Sequence, residues 1–155
     1  MILIKASPNT ANFLNSWSVL PYVDIKDITI TDSRNANIML SFFDRVTVSS
    51  LHFERTSIMD VTMLVQLFSF TTGHSLTMNN VTAKDVYGPV LYTKDIMNQN
   101  FTDCVFTDMS SSQDIDGGYQ NILMISKDDE PSTLGLNPKN PDNIYLNNFN
   151  INVRI

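Results

Sequence analysis

The sequence predicts an all-β fold: a single-stranded right-handed parallel β-helix of about five turns, with three short strands in each turn. Three observations predict it. A template of two apolar alternations joined by a polar pair, clearest in Leu76-Thr77-Met78-Asn79-Asn80-Val81-Thr82-Ala83, occurs five times. Its spacing has a common step, since Val23 to Val46 and Leu76 to Gln99 are each 23 positions (46 − 23 and 99 − 76). A third apolar stretch accompanies most copies.

Alternation of period two marks a strand with one buried face, and a polar pair between two such strands is turn chemistry. Call the two strands a and b. Their inward positions are Val23, Ile25, Ile28 and Ile30; Val46, Val48, Leu51 and Phe53; Leu76, Met78, Val81 and Ala83; Gln99, Phe101, Cys104 and Phe106; and Ile144, Leu146, Phe149 and Ile151. Gln99 alone breaks the apolar rule. The bends read Lys26-Asp27, Ser49-Ser50, Asn79-Asn80, Thr102-Asp103 and Asn147-Asn148. Outward positions are mostly polar: Asp24, Thr47, Thr77, Asn100 and Tyr145 on a, with Thr29, His52, Thr82, Val105 and Asn150 on b. These faces should be wet.

The third strand, c, is expected at Ile38-Met39-Leu40-Ser41-Phe42, at Val61 to Phe70, at Pro89-Val90-Leu91-Tyr92 and at Asn121-Ile122-Leu123-Met124-Ile125, with Ile2-Leu3-Ile4 as the c strand of an incomplete first turn. Strand c is apolar on both sides. With Ile38, Leu40, Val65, Leu67, Val90, Tyr92, Ile122 and Met124 placed inward, its outer face would carry Met39, Leu64, Phe68, Leu91, Leu123 and Ile125. Contiguous apolar surface rarely stays uncovered. Either the loop of residues 6 to 22, with Phe13 and Trp17, covers this face, or another protein chain or domain does; these six residues are the predicted partner interface. Three long loops are expected, at residues 6 to 22, 107 to 120 and 127 to 143, all projecting from one edge. A β-sandwich suits short strands as well, but the 23-residue recurrence opposes it.

The whole chain, residues 1 to 155, is read as one domain. With 43% apolar residues it can build a real core. Ten basic and 16 acidic residues leave a formal charge of −6 with no basic cluster, which argues against a nucleic-acid partner. No apolar run approaches the roughly 20 residues a spanning helix needs, and the N-terminus lacks the pattern of a signal peptide. Because the pattern begins and ends within a turn, the chain is expected to be a segment of a longer protein, and its open ends are expected to bind neighbours along with the outer c face.

Candidate chemistry is thin. Asp108, Asp114 and Asp116 share one loop, but nothing supplies the desolvation that an acid catalyst would need. Asp114-Ile115-Asp116-Gly117-Gly118 is a fragment of a calcium loop without its remaining ligands. His52 and His74, 22 positions apart (74 − 52), could approach on adjacent turns, yet no further ligand stands near them, so neither a metal nor a cofactor is expected. Cys104, the single cysteine, reads as a small buried side chain. Asn80-Val81-Thr82 and Asn100-Phe101-Thr102 are glycosylation acceptor strings, so Asn80 and Asn100 would carry glycans if the chain enters a secretory pathway.

At Asn100-Phe101-Thr102-Asp103-Cys104-Val105-Phe106 and Leu76-Thr77-Met78-Asn79-Asn80-Val81-Thr82 the chain resembles the pectin-lyase-like right-handed β-helices. Within them it is most similar to large surface proteins with polymorphic outer-membrane-type repeats, including those of ciliated protists. The resemblance spans residues 23 to 151 and implies an inward ladder of bend asparagines. Asn80 and Asn148 match it, while Asp27, Ser50 and Asp103 depart from it. The paired Asp and His-Gly motifs of the carbohydrate-cleaving members have no counterpart here. The resemblance therefore implies an extracellular or cell-surface structural module, non-catalytic, contacting other protein chains or further domains and possibly glycans. A carbohydrate-binding or carbohydrate-cleaving β-helix is the alternative.

Overall fold

Runs in which apolar and small polar residues alternate have one face to bury, and they do so here by lying side by side. The computed structural model describes residues 2–3, 20–34, 37–57, 67–88, 90–110, 123–126 and 143–153. Seven strands follow in order: β1 (Ile2–Leu3), β2 (Tyr22–Thr31), β3 (Ile38–Ser57), β4 (Phe68–Tyr87), β5 (Leu91–Met109), β6 (Leu123–Ser126) and β7 (Asn143–Val153). They form one sheet, and every pairing between them is parallel. The backbone is all-β and parallel, which the antiparallel pairings of a β-sandwich would contradict.

The register runs residue for residue from one strand to the next, except for a shift between β5 and β7 beyond Phe106. Val23 pairs with Val46, Val46 with Leu76, Leu76 with Gln99 and Gln99 with Ile144. Met78 likewise lies beside Phe101, and Phe101 beside Leu146. These are the expected a and b columns. Within β3, β4 and β5 their inward members Val46, Val48, Leu51, Phe53, Leu76, Met78, Val81, Ala83, Gln99, Phe101, Cys104 and Phe106 are all buried.

A 20-residue strand in a small domain must bend, and here the bends are single residues in the left-handed region. Asp27, Ser50, Asn80, Asp103 and Asn148 have φ between 49° and 56°, and they are the second residues of the five predicted bends. Asp and Asn tolerate this region best among side-chain-bearing residues. Two further columns of such bends were not expected. Asp32, Arg55, Asp85 and Asp108 follow the b segments, while Phe42, Thr72 and Asp95 precede the a segments. Strand c therefore runs straight into a through one left-handed residue in β3, β4 and β5, where a loop was expected. The additional residues that lengthen some turns lie between b and c, or after β6.

The c segments require a correction. Ile38 pairs with Phe68, Phe68 with Leu91 and Leu91 with Leu123, while Leu40 pairs with Phe70 and Phe70 with Thr93. Phe68 and Leu91, assigned above to an outer face, are 0% and 1% exposed. Phe68 stands edge-on to Phe53 at 5.2 Å and lies 6.4 Å from Phe106, at the centre of the core. A shift of one residue exchanges the two faces of a strand, and the expected phase was wrong by one in β5 and in β4, although Leu67 and Val90, expected inside and lying just before these strands, are buried as well. Tyr92, expected inside, is only partly buried.

Close packing at the c-to-a corner depends on one glycine. Gly73 lies in register with Phe43, and a Cβ there would sit 2.7 Å from Phe43 Cδ2 and closer still to two other atoms of the ring. The missing side chain makes the space that the Phe43 ring fills, edge-on to Phe70 at 6.5 Å.

Candidate interaction surfaces

A stack of parallel strands buries its inward residues only where another strand lies above and below. β7 has β5 on one side and no described strand on the other. Ile144 and Leu146, in columns that are fully buried in β4 and β5, are consequently 42% and 56% exposed, and the neighbouring Tyr145 is 62% exposed. Phe149 and Ile151 are partly covered, with Phe149 edge-on to Phe101 at 5.7 Å and to Phe106 at 5.6 Å. β2 bounds the a and b columns at the other side, pairing among the described strands only with β3. Ile25 is buried there, Val23, Ile28 and Ile30 are partly covered, and Tyr22 is 61% exposed. An exposed strand edge with apolar neighbours is a template for another strand.

The expected outer interface does not assemble as expected. Phe68 and Leu91 are in the core, and Met39 is partly buried, in register with Ser69 and Tyr92. Leu123 and Ile125 lie in β6, in register with Leu91 and Thr93. Leu64 lies outside the described residues, as do Phe13, Trp17, Asp114, Asp116 and most of the three long loops. The residues that sequence reasoning missed as surface are Ile144 and Leu146. Their signal was present, because they belong to the last recurrence of the template.

The wet faces carry short polar pairings between neighbouring strands. Ser41 and Thr71 hydroxyls lie 2.7 Å apart. His52 Nδ1 is 2.6 Å from Thr82 Oγ1, with Glu54 3.8 Å from its Nε2, and His74 Nδ1 is 3.0 Å from Asp44. The two histidines thus take different partners and do not share a column. Among the described residues no group of three His, Cys, Asp or Glu is placed to hold a metal ion. Arg55 donates to both carboxylate oxygens of Asp32, at 2.6 and 2.9 Å, and reaches Glu54 at 2.7 Å. The guanidinium hydrogen bond holds the Asp32 carboxyl below the usual carboxylate range.

Both acceptor asparagines are exposed. Asn80 occupies a left-handed bend, and Asn100 accepts a 3.2 Å hydrogen bond from Thr102 Oγ1 within its own acceptor string. Cys104 is buried and free, and burial pushes its thiol up to about 11. A thiol so placed is unreactive at neutral pH. Comparison with family models, curated proteins and solved structures finds no match to this chain. The residues and their placement must carry the functional reading.

Proposed function

We propose that this chain is a non-catalytic structural or interaction module of a larger extracellular or cell-surface protein, and that it meets neighbouring chains or domains through the free strand edges of β7 and β2. The backbone behind those edges is read as a right-handed parallel β-helix of the pectin-lyase-like kind. Three columns of left-handed bends support a three-sided coil, and parallel connections favour the right hand. Strands at repeat distances of 23, 30, 23 and 45 positions (46 − 23, 76 − 46, 99 − 76, 144 − 99) support one strand-containing turn per step.

The observation that carries the functional reading is the exposure of Ile144 and Leu146 in otherwise buried columns. Covering two such side chains contributes about 1.5 to 3 kcal/mol each when fully achieved, and a strand laid on β7 would also satisfy its outer backbone groups. Partners are therefore extended protein segments, with glycans at Asn80 and Asn100 as accessory features.

The test is strand addition. A labelled peptide copying residues 45 to 54, a run that already stacks in these columns, should bind the chain in fluorescence anisotropy. Replacing Leu146 with lysine should abolish binding, and a scrambled peptide should not bind. Equal binding of the scrambled peptide, or none by the copy, overturns edge recognition. Release of new reducing ends from a panel of polysaccharides would overturn the non-catalytic reading in favour of a carbohydrate-cleaving β-helix.

A further inference from the structure

Among the described strands the outer edges of β7 and β2 take no other partner, and they fit each other. We propose that the occupant of the β7 edge is the β2 edge of a second copy of this chain, laid parallel and in register, so that copies join head to tail. This rests on the reading of the edges as interaction surfaces and names the partner.

Register is the first support. The ladder advances Tyr22, Arg45, Ser75, Asn98, Asn143, and it holds its register up to the pairing of Phe106 with Ile151, beyond which β5 and β7 shift. Continued by one step, it sets Asn143 beside the second copy's Tyr22, Ile144 beside Val23, Leu146 beside Ile25, Phe149 beside Ile28 and Ile151 beside Ile30. Every inward position then meets an aliphatic side chain, and the left-handed bend at Asn148 meets the bend at Asp27. The c columns agree independently. The ladder Ile2, Ile38, Phe68, Leu91, Leu123 places β1 and β6 at opposite ends, so that the same step brings β6 beside the second copy's β1.

Charge is the second support. β2 exposes Asp27 and an Asp24 that pairs with Lys26 at 3.6 Å, while Asp32, just beyond the strand, is held by Arg55. β7 has no charged residue and exposes Asn143, Asn147, Asn148 and Asn150. An amide-rich edge meets an acidic one without opposing two carboxylates. The contact has a precedent inside the molecule, since Asn148 Nδ2 already donates to Asp103 Oδ1 at 2.7 Å. An amide nitrogen carries two N–H groups, so the second is available to Asp27 of the next copy.

Such a contact is heterologous and does not close, so it builds open chains of copies. Sedimentation velocity on the whole chain tests it. Wild-type protein should form species larger than dimers in increasing proportion with concentration. Leu146→Lys blocks the β7 edge and Val23→Glu blocks the β2 edge, so each alone should sediment as a monomer. Their equimolar mixture should give a dimer and nothing larger, because each retains the edge the other lost. Should Val23→Glu unfold, the exposed pair Tyr145 and Asp24 replaces it: Tyr145→Lys alone should still associate, and Tyr145→Lys with Asp24→Lys should lose association at least tenfold. Wild-type protein that stays monomeric, a mixture that stays monomeric, or a Val23→Glu protein that still dimerises overturns the proposal. If the 45-to-54 peptide still binds in any of those cases, the edge remains an interaction surface and only the self-partner falls.

Discussion

Gln99 is the one polar side chain in the inward a and b columns of β5, and its replacement by leucine should stabilise the protein. It is 1% exposed, lies in register between Leu76 and Ile144, and neither its Oε1 nor its Nε2 has a hydrogen-bond partner among the described residues. An unpaired buried amide costs about 1 to 3 kcal/mol in proteins. Leucine removes both polar atoms, adds apolar contact with Leu76, and differs little in volume; imperfect shape should return less than about 1.5 kcal/mol. The expected net gain for Gln99→Leu is about 1 to 3 kcal/mol, equivalent to a rise in Tm of roughly 2 to 4 °C per kcal/mol for a domain of this size. Urea unfolding followed by circular dichroism measures the gain directly. Leu76→Ala serves as the control and should lose about 2 to 5 kcal/mol. A Gln99→Leu protein less stable than wild type by 1 kcal/mol or more would refute the reasoning, since it would show that the amide has a partner whose loss outweighs its desolvation.

Three other outcomes follow from the same packing. Gly73→Ala should destabilise by about 1 to 3 kcal/mol through collision with Phe43, and adding Phe43→Leu should recover part of that loss in a double-mutant cycle. Thr72 is β-branched at a φ of 55°, so Thr72→Asn should stabilise by about 1 kcal/mol, read as a shifted urea midpoint. Cys104 should resist alkylation by iodoacetamide at pH 8, and rapid labelling of native protein there would contradict its burial. Its folded pKa of about 11 stands above the ordinary 9.0. The thiol therefore supports the fold fully below pH 9 and ceases to do so as pH rises through 11, and Cys104→Ala should remove that part of the alkaline loss.

The a and b columns were legible because nearly every outward residue there is polar, Val105 being the exception, which fixes the phase of the alternation. Strand c gave no such signal. Every residue from Leu67 to Phe70 except Ser69 is apolar, so either phase satisfies a hydrophobic pattern, and the wrong one put Phe68 and Leu91 outside. Counting back from the a columns would have resolved it: Ile38, Phe68 and Leu91 each lie eight positions before Val46, Leu76 and Gln99 (46 − 38, 76 − 68, 99 − 91). The first bend column announced itself through Asp and Asn. The bend at Phe42 could not, since an aromatic residue carries no turn preference, and its left-handed conformation is imposed by the strands on either side. Contacts at the open ends were expected, but the residues that would make them were not singled out, because Ile144 and Leu146 are apolar like their buried column mates.

In the first bend column, stacking has an electrostatic consequence that the sequence handles by interleaving. Neighbouring strands lie about 4.8 Å apart, where two carboxylates in water repel by about 1 kcal/mol. In the first bend column the order is Asp27, Ser50, Asn80, Asp103, Asn148, so no two carboxylates are neighbours. Replacing Asn148 with aspartate would break that order. It removes the 2.7 Å hydrogen bond to Asp103 and sets two charges side by side on an exposed face. The expected loss is about 1 kcal/mol at low salt, because exposed charge pairs are weak. It should shrink as sodium chloride shortens the screening length, and lowering the pH until both carboxyls are protonated should remove its repulsive part. A loss insensitive to salt would assign the whole effect to the hydrogen bond. The same substitution bears on association, since it would set a carboxylate against Asp27 of the next copy. Asn148→Asp should therefore weaken head-to-tail joining in a salt-dependent way, while Asn148→Ser, which stays neutral as Ser50 does, should leave the salt dependence of joining unchanged.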